Sequence, residues 1–144
     1  TGAYLAALFA ILGHTMPVYY KFKGGKGVVS SAIAILLLDW QVGVVVIGVF
    51  AIVLIISRFV SLSSIIAAFA YPGIIFIFNN VRFKGEALPD AAAMMFAFFV
   101  GIYVIFLHRT NIARIYNREE NKLDFKKLFK RKKPIENAED TPEE

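Results

Sequence analysis

A short segment of this 144-residue chain combines lysines and glycines in a way that suits the binding of a phosphate. It lies between two apolar runs, reads GHTMPVYYKFKGGKGV from Gly13 to Val28, and carries three lysines and three closely spaced glycines in its second half. Glycine lets backbone N–H groups approach an anion, and the N-terminus of the helix that follows adds partial positive charge. The expected phosphate-binding residues are Lys23, Gly24, Gly25, Lys26 and Gly27.

The same segment allows simpler interpretations. A positively charged loop between membrane helices can serve only to fix their orientation in the bilayer. His14 precedes Thr15 and Pro17, so it either stabilises the turn or faces the ligand. A nucleotide-binding P-loop is excluded, because Lys26 is followed by Gly27 rather than by Ser or Thr.

The composition excludes several classes of protein. With 58% hydrophobic residues and a mean hydropathy of +0.61, a soluble globule is not expected. The absence of cysteine removes disulfides, thiolate zinc sites and cysteine nucleophiles. Only two histidines are present, and only three acidic residues precede residue 119, which argues against a metal site or a two-carboxylate hydrolase.

Five apolar runs predict membrane helices, since an uninterrupted apolar run in lipid is helical. The first run has about half of the roughly 20 residues that a spanning helix needs, which indicates a helix that begins before Thr1. We therefore predict an all-α, polytopic integral membrane bundle with about four spanning helices plus a truncated first one. The runs cover residues 3–12, 28–38, 42–56, 65–78 and 91–107.

The breaks between these runs predict further features. Asp39 and Trp40 interrupt the second and third runs and predict a tight hairpin with the tryptophan at the interface. The run 28–38 covers only about half of a bilayer core, so its helix either starts earlier or lies in a thinned or re-entrant region. Pro72 and Gly73 predict a kink in the run 65–78.

The basic residues indicate orientation in a membrane rather than nucleic-acid binding. All 16 except Arg82 and Lys84 fall in the segments 13–27 and 57–64 or after residue 108, which places these segments in the cytoplasm. Residues 119–133 predict a basic amphipathic segment on anionic membrane lipid. The tail 134–144 has five acids and no base, and is expected to be disordered. Residues 1–118 then form the membrane domain.

The polar segments carry a recognisable pattern. The segment from Gly13 to Val28 resembles the GHxFPVFxxFKGGKGVA signature of the bacterial acyl-phosphate:glycerol-3-phosphate acyltransferases, with Met16 in place of the usual Phe. The sequence SRFVSLSS at 57–64 is similar to the family's (T/S)RYVSLSS, and HRTNIAR at 108–114 to its HRxNIxR. The ENK at 120–122 matches as well, so the resemblance covers residues 1 to about 123.

The resemblance implies a reaction and its ligands. Such enzymes transfer a fatty acyl group from acyl phosphate to glycerol 3-phosphate, giving lysophosphatidic acid and phosphate for phospholipid biosynthesis. It implies no metal, no coenzyme A and no other cofactor, a place in the bacterial inner membrane, and an upstream enzyme that produces acyl phosphate. The implied catalytic residues are His108 and Asn111, and the implied phosphate contacts beyond the loop are Arg58, Ser61 and His14.

Other interpretations stay open at these positions. Serines 61, 63 and 64 also suit helix capping. A histidine near a helix C-terminus followed by an Asn C-cap is the structural alternative for His108 and Asn111. A fragment of an anion-binding transporter or channel, with helices broken at glycine, is the competing class of protein. The family's N-terminal SGNxGxTN signature is absent, so the 144-residue chain alone is expected to be inactive.

Overall fold

The structure, a computed structural model, describes residues 2–17, 24–83 and 91–124. Within these ranges the secondary structure is helical and contains no strand, which confirms the predicted all-α class. The helices of the described ranges are α1 (Gly2–Thr15), α2 (Val28–Leu38), α3 (Trp40–Ser57), α4 (Val60–Phe83), α5 (Ala91–Leu107) and α6 (Arg109–Tyr116).

The helices differ in whether they are long enough to cross a membrane. By length and composition, α3 and the Val60–Val81 part of α4 can each do so. Helices α5 and α6 meet the same criterion only as a pair that is bent by 56°. Helices α1 and α2, with 14 and 11 residues, are shorter apolar helices. By this criterion the described residues contain two candidate spans, or three if the bent pair is one.

The predicted hairpin between α2 and α3 is present. Asp39 ends α2 and caps α3, where its carboxylate accepts a hydrogen bond from the backbone N–H of Val42 at 3.2 Å. A Cβ atom on Gly43 would lie 2.9 Å from Cα of Leu36, so only glycine lets the two helices approach this closely. Helix α2 begins at Val28, directly after Gly27, so the alternative that it starts earlier within residues 24–27 is wrong.

Helices α1 to α5 share one apolar core, and their other faces expose large apolar side chains. Ile11 of α1, Val42 of α3 and Ala97 of α5 are fully buried within it. Leu37 and Phe69 are more than three-quarters exposed. Such an exposed apolar surface suits lipid rather than water as the surrounding solvent.

Helices α4 and α5 pack closely at the proline that the sequence predicts as a kink. Pro72 lies inside α4 and has no N–H to donate to the carbonyl of Ala68. Gly101 of α5 packs against that carbonyl, since a Cβ atom at this position would lie 2.8 Å from the Ala68 oxygen. The contact fixes α5, and with it the position of the residues that follow α5.

Candidate functional site

Polar side chains from distant parts of the sequence meet at one end of the bundle. Ser61 is in the first turn of α4, Asn111 is on α6, and Glu120 follows α6. The Asn111 amide nitrogen donates to the Ser61 hydroxyl at 2.7 Å and to Oε1 of Glu120 at 2.8 Å. The Ser61 hydroxyl donates to the same Oε1. We call Ser61, His108, Asn111 and Glu120 the polar cluster.

The polar cluster leaves two acceptor atoms without a partner. Both amide hydrogens of Asn111 are used by Ser61 and Glu120, and its Oδ1 atom is buried with no hydrogen bond among the described residues. The same holds for the Oε2 atom of Glu120. An unpaired buried acceptor costs free energy unless a donor reaches it, so these two atoms suit a ligand with hydroxyl or N–H groups.

His108 lies at the bend between α5 and α6. Its backbone N–H is shared between the carbonyls of Val104 and Ile105, at 3.2 and 3.0 Å. Its side chain is 2% exposed, and its Nδ1 atom lies 2.8 Å from the Val104 oxygen. Nδ1 must donate in this contact because a carbonyl only accepts, which leaves Nε2 as an acceptor in the neutral ring. Asn111 lies within α6 and is not a C-cap, so the structural alternative for this residue is wrong.

Glu120 reaches the polar cluster because the chain turns back after α6. Arg118 adopts a left-handed conformation with φ of 62°, which redirects the backbone. Leu123 then donates its N–H to the carbonyl of Arg58 at 2.7 Å. Arg58 itself has φ of 60° and ends α3. The segment 119–124 is therefore tied to the turn between α3 and α4 and is not helical; the rest of the predicted amphipathic segment lies outside the described residues.

The glycine loop, residues 24–27, packs against the end of α1. A Cβ atom on Gly24 would lie 2.6 Å from the carbonyl oxygen of His14, and it would clash with that of Thr15 as well. Gly27 has φ of +74°, and a Cβ atom there would lie 2.9 Å from the Thr15 methyl group. The Thr15 hydroxyl also contacts the Tyr103 hydroxyl at 2.8 Å, which joins α1 to α5. Both glycines are thus required by the local geometry.

Lys26 brings positive charge from the glycine loop to the polar cluster. Its side chain is exposed, and its charge acts on both His108 and Glu120. The hydrogen bond from Ser61 and, to a lesser extent, that from Asn111 hold the pKa of the Glu120 carboxyl below its usual value, and the charges of Arg114 and Lys26 act in the same direction. Glu120 is therefore a carboxylate at neutral pH.

An apolar cavity of about 350 Å³ lies between α2, α3, α4 and α5. Two of its lining residues adjoin the polar cluster in the sequence: Ser64 follows Ser61 by one turn, and Val104 precedes His108 by one turn. Along α2 the cavity starts at Val28, next to the glycine loop. Its far end is lined by Leu36, Val46, Tyr71 and Val100.

The structure brings together several of the residues that the sequence singles out. His108, Asn111 and Ser61 belong to the polar cluster, and Lys26 acts on it from the glycine loop. Among the serines, Ser63 and Ser64 donate instead to the carbonyls of Phe59 and Val60. His14 is exposed, with its ring beside Gly25; the Arg58 side chain is exposed at its turn, and Lys23 lies outside the described residues.

Glu120 is the residue of the polar cluster that sequence reasoning missed as a site residue. Its signal in the sequence is the ENK match at 120–122, which supports the resemblance but assigns Glu120 no role. Among the described residues no group of three His, Cys, Asp or Glu side chains is placed to hold a metal ion. The donors and acceptors at this end of the bundle are hydroxyl, amide, imidazole, carboxylate, ammonium and backbone groups.

Fold and site together define a helical membrane protein with a cationic loop and a polar cluster, both of which adjoin residues that line an apolar cavity. Residues 1–118 match the sequence profile of the glycerol-3-phosphate acyltransferase family. The chain belongs to this family, and the resemblance seen in its motifs is confirmed.

Named relatives and solved structures agree with this assignment. A glycerol-3-phosphate acyltransferase of Trichodesmium erythraeum is 44% identical over 119 residues, which cover 83% of this chain and 48% of that protein. The crystal structure of PlsY (YgiH), an integral membrane glycerol 3-phosphate acyltransferase, in its glycerol 3-phosphate form superposes with a TM-score of 0.77 at 25% identity, covering 89% of this chain and 60% of PlsY. Its lysophosphatidic acid form gives 0.74 at 26% identity, covering 84% and 59%. The chain spans about half the length of the curated relatives it matches.

Proposed function

We propose that the protein transfers a fatty acyl group from acyl phosphate to glycerol 3-phosphate, giving lysophosphatidic acid and phosphate. The observation that carries the proposal is the polar cluster with its unpaired acceptors, on which the Lys26 charge acts and which adjoins the cavity-lining residues Ser64 and Val104. The two PlsY structures, in glycerol 3-phosphate and lysophosphatidic acid forms, support the same substrate and product for this chain.

The glycine loop is the expected site for a phosphate group. Lys26 supplies a compact positive charge, and Gly27 is followed at once by the N-terminus of α2, whose first N–H groups point toward the loop. Gly27 has no side-chain cap to occupy those donors. The Lys26 charge, which also acts on Glu120, offsets the repulsion between a phosphate and that carboxylate. The loop thus favours the anionic part of either substrate.

The polar cluster is the expected site for the hydroxyl groups of glycerol 3-phosphate. Oδ1 of Asn111 and Oε2 of Glu120 accept hydrogen bonds, and Nε2 of His108 is a third acceptor when the ring is neutral. A hydroxyl is the donor that these atoms lack. In the reaction the hydroxyl oxygen bonds to the acyl carbon, the bond from that carbon to the phosphate oxygen breaks, and the hydroxyl proton ends on the departing phosphate.

This reaction requires little chemical activation by the protein. An acyl phosphate carries a good leaving group, so positioning of the hydroxyl and stabilisation of charge can supply most of the rate. The apolar cavity offers a place for the fatty chain beside the reacting groups. An enzyme that makes acyl phosphate must supply the donor. No cofactor is required in this scheme.

The transporter alternative is less well supported by the position of the site. The polar cluster follows the ends of α3 and α5 and the start of α4, rather than the middle of a span. Lys26 beside it is exposed. A transported anion would be held near the bilayer midplane. A reaction at the membrane surface agrees better with this arrangement.

Substitution of Lys26 tests the proposal. In the full-length protein Lys26→Ala is expected to lower turnover of palmitoyl phosphate with labelled glycerol 3-phosphate by about 100-fold or more. Lys26→Arg should restore only part of it, because a planar guanidinium does not replace a compact ammonium beside glycine. Lys122→Ala is the matched control, since Lys122 contacts the ring of Phe59 instead. Unchanged turnover in a correctly inserted Lys26→Ala protein would contradict the proposal.

We further infer that the polar cluster faces the cytoplasm across a bacterial inner membrane. The distribution of basic residues supports this orientation. Single cysteines at Thr110 and Asn80 test it, because both positions are exposed at opposite ends of the bundle and the chain has no native cysteine. An impermeant maleimide should label T110C only in inverted vesicles and N80C only in right-side-out vesicles. Labelling of both from one side would contradict the orientation.

A further inference from the structure

One buried hydroxyl in the described part of the protein is not explained by packing or by the polar cluster. Ser31 of α2 is 5% exposed, and its Oγ atom has no hydrogen-bond partner among the described residues. Neighbouring serines behave differently: Ser30 donates to the carbonyl of Gly27, and Ser64 to that of Val60. Helical serines usually satisfy themselves in this way. Ser31 therefore keeps a free donor at a buried place, at a cost in free energy.

The place of Ser31 is informative. Its side chain lines the apolar cavity, together with Ser64 and Val104, which adjoin the polar cluster. Its backbone N–H donates to the carbonyl of Gly27 at 2.9 Å, so it lies one turn after the glycine loop. Because Ser64 already uses its hydroxyl, Ser31 is the lining serine that keeps a free donor among the described residues.

We propose that the Ser31 hydroxyl binds the carbonyl oxygen of the acyl donor. The inference rests on the function proposed above and extends it to one atom of the substrate. In an acyl phosphate the atoms follow the order phosphate, carbonyl, methylene chain. Along α2 the protein presents a similar order: the glycine loop, then Ser31 one turn into the helix, then the lining residues from Ala32 to Leu36, with Val28 and Val29 lining the cavity beside the loop. A carbonyl placed between the two ends lies beside the free hydroxyl.

This contact has a defined role in the reaction. When the hydroxyl of glycerol 3-phosphate attacks, the carbonyl oxygen gains negative charge. A hydrogen-bond donor fixed beside that oxygen therefore stabilises the transition state more than it stabilises the ground state. As the phosphate leaves, the carbonyl is restored in the ester. Ser31 donates a hydrogen bond throughout and exchanges no proton.

Kinetics of Ser31 variants give the first test. Ser31→Ala is expected to lower kcat by about 100-fold with little change in KM for glycerol 3-phosphate. Ser31→Thr keeps a hydroxyl and should recover a large part of kcat. The control is Ser63→Ala, since Ser63 is also buried but donates to the carbonyl of Phe59 and does not line the cavity. Wild-type kcat in Ser31→Ala would overturn the inference.

Binding of two unreactive probes gives a second test that does not depend on turnover. Palmitoyl phosphonate keeps the carbonyl next to the phosphorus, whereas hexadecyl phosphate has none. Ser31→Ala should weaken binding of palmitoyl phosphonate by about fivefold, the size of one hydrogen bond, and leave hexadecyl phosphate unchanged. Equal effects on both probes would overturn the inference. If Ser31→Ala weakens binding of palmitoyl phosphonate alone, but the wild-type protein transfers no acyl group, only the proposed function would be refuted.

Discussion

The polar cluster and the apolar cavity share helix α4 and adjoin each other at the end of α5, but they offer a ligand opposite chemistry. Helix α4 supplies Ser61 to the cluster and Tyr71 to the far end of the cavity. At the end of α5, Val104 lines the cavity and His108, one turn later, belongs to the cluster. Among the described residues the cluster has buried acceptors that lack donors, whereas the cavity is lined mainly by apolar side chains. A ligand with a polar head and an apolar chain would complete both at once.

Loss of two members of the polar cluster should have the largest effect. His108→Ala and Asn111→Ala are each expected to lower turnover by about 100-fold, because each removes a group that positions the reacting hydroxyl. The double variant should lose less than the product of the two, since both act on one substrate group. Rates of acyl transfer in the full-length protein measure this. Thr110→Ala is the control, as Thr110 lies between them and is exposed.

If the effects of the two substitutions on turnover multiply fully, His108 and Asn111 do not act on the same substrate group. In that case Asn111 would serve only to hold Ser61 and Glu120 in place. Thermal unfolding of the Asn111→Ala protein distinguishes the two roles, since a purely structural residue would change stability and turnover together.

The cavity should respond through the length of the acyl chain rather than through the rate of the reaction. Tyr71 is 2% exposed and lines the end farthest from the cluster. Tyr71→Ala should favour longer donors, by about fourfold in kcat/KM for each further methylene that becomes buried. Tyr71→Phe retains the ring and should keep the original preference. Competition between lauroyl, palmitoyl and stearoyl phosphates measures the shift.

A second cavity variant tests the same prediction in case Tyr71→Ala does not fold. Ala32 also lines the cavity and is only half-buried, so it tolerates a larger side chain. Ala32→Leu should shift the preference toward shorter donors. An unchanged chain-length profile in both folded variants would show that the cavity does not hold the chain.

The smallest effect is expected in the pH dependence of stability. The pKa of Glu120 is lowered in the folded protein, so the folded state binds a proton less readily than the unfolded state. The resulting stabilisation is complete above the ordinary glutamate pKa of about 4.3 and is lost as pH falls through the lower folded value. Glu120→Gln should therefore lower Tm at neutral pH, and the difference from wild type should shrink in acid.

The neighbouring carboxylate provides a control for this experiment. Glu119 is exposed, and Glu119→Gln removes the same formal charge without touching Ser61 or Asn111. Its Tm should follow the wild type across the whole range. A Glu120→Gln difference that is constant with pH would contradict the role of its ionised form.

The sequence predicted part of the candidate site because that part depends on local spacing. The glycines and Lys26 are consecutive, and a separation of three residues places His108 and Asn111 near each other on helical geometry alone. Glu120 was not predicted as a site residue because its position depends on a turn at Arg118 and on a bond from Leu123 to Arg58. Such distant backbone contacts leave no periodic signal.

The choice among the serines illustrates the same limit. The three serines that follow Arg58 lie within about one helical turn of each other, and from the sequence alone any of them could face the site. Only the packing of α4 against α6 turned Ser61 toward Asn111 and left Ser63 and Ser64 to bond within their own helix. Likewise, Ser31 could not be distinguished from Ser30 until the cavity was known.

By itself the sequence determined the all-helical membrane class, the hairpin at Asp39 and the cationic loop, because apolar runs, caps and glycines act through nearest neighbours along the chain. The tertiary structure decided which polar atoms remain unpaired and where the bundle leaves empty volume. Both depend on how Gly101 lets α5 approach α4 and how Gly27 lets the glycine loop approach α1, and such contacts join segments that are separated in the sequence.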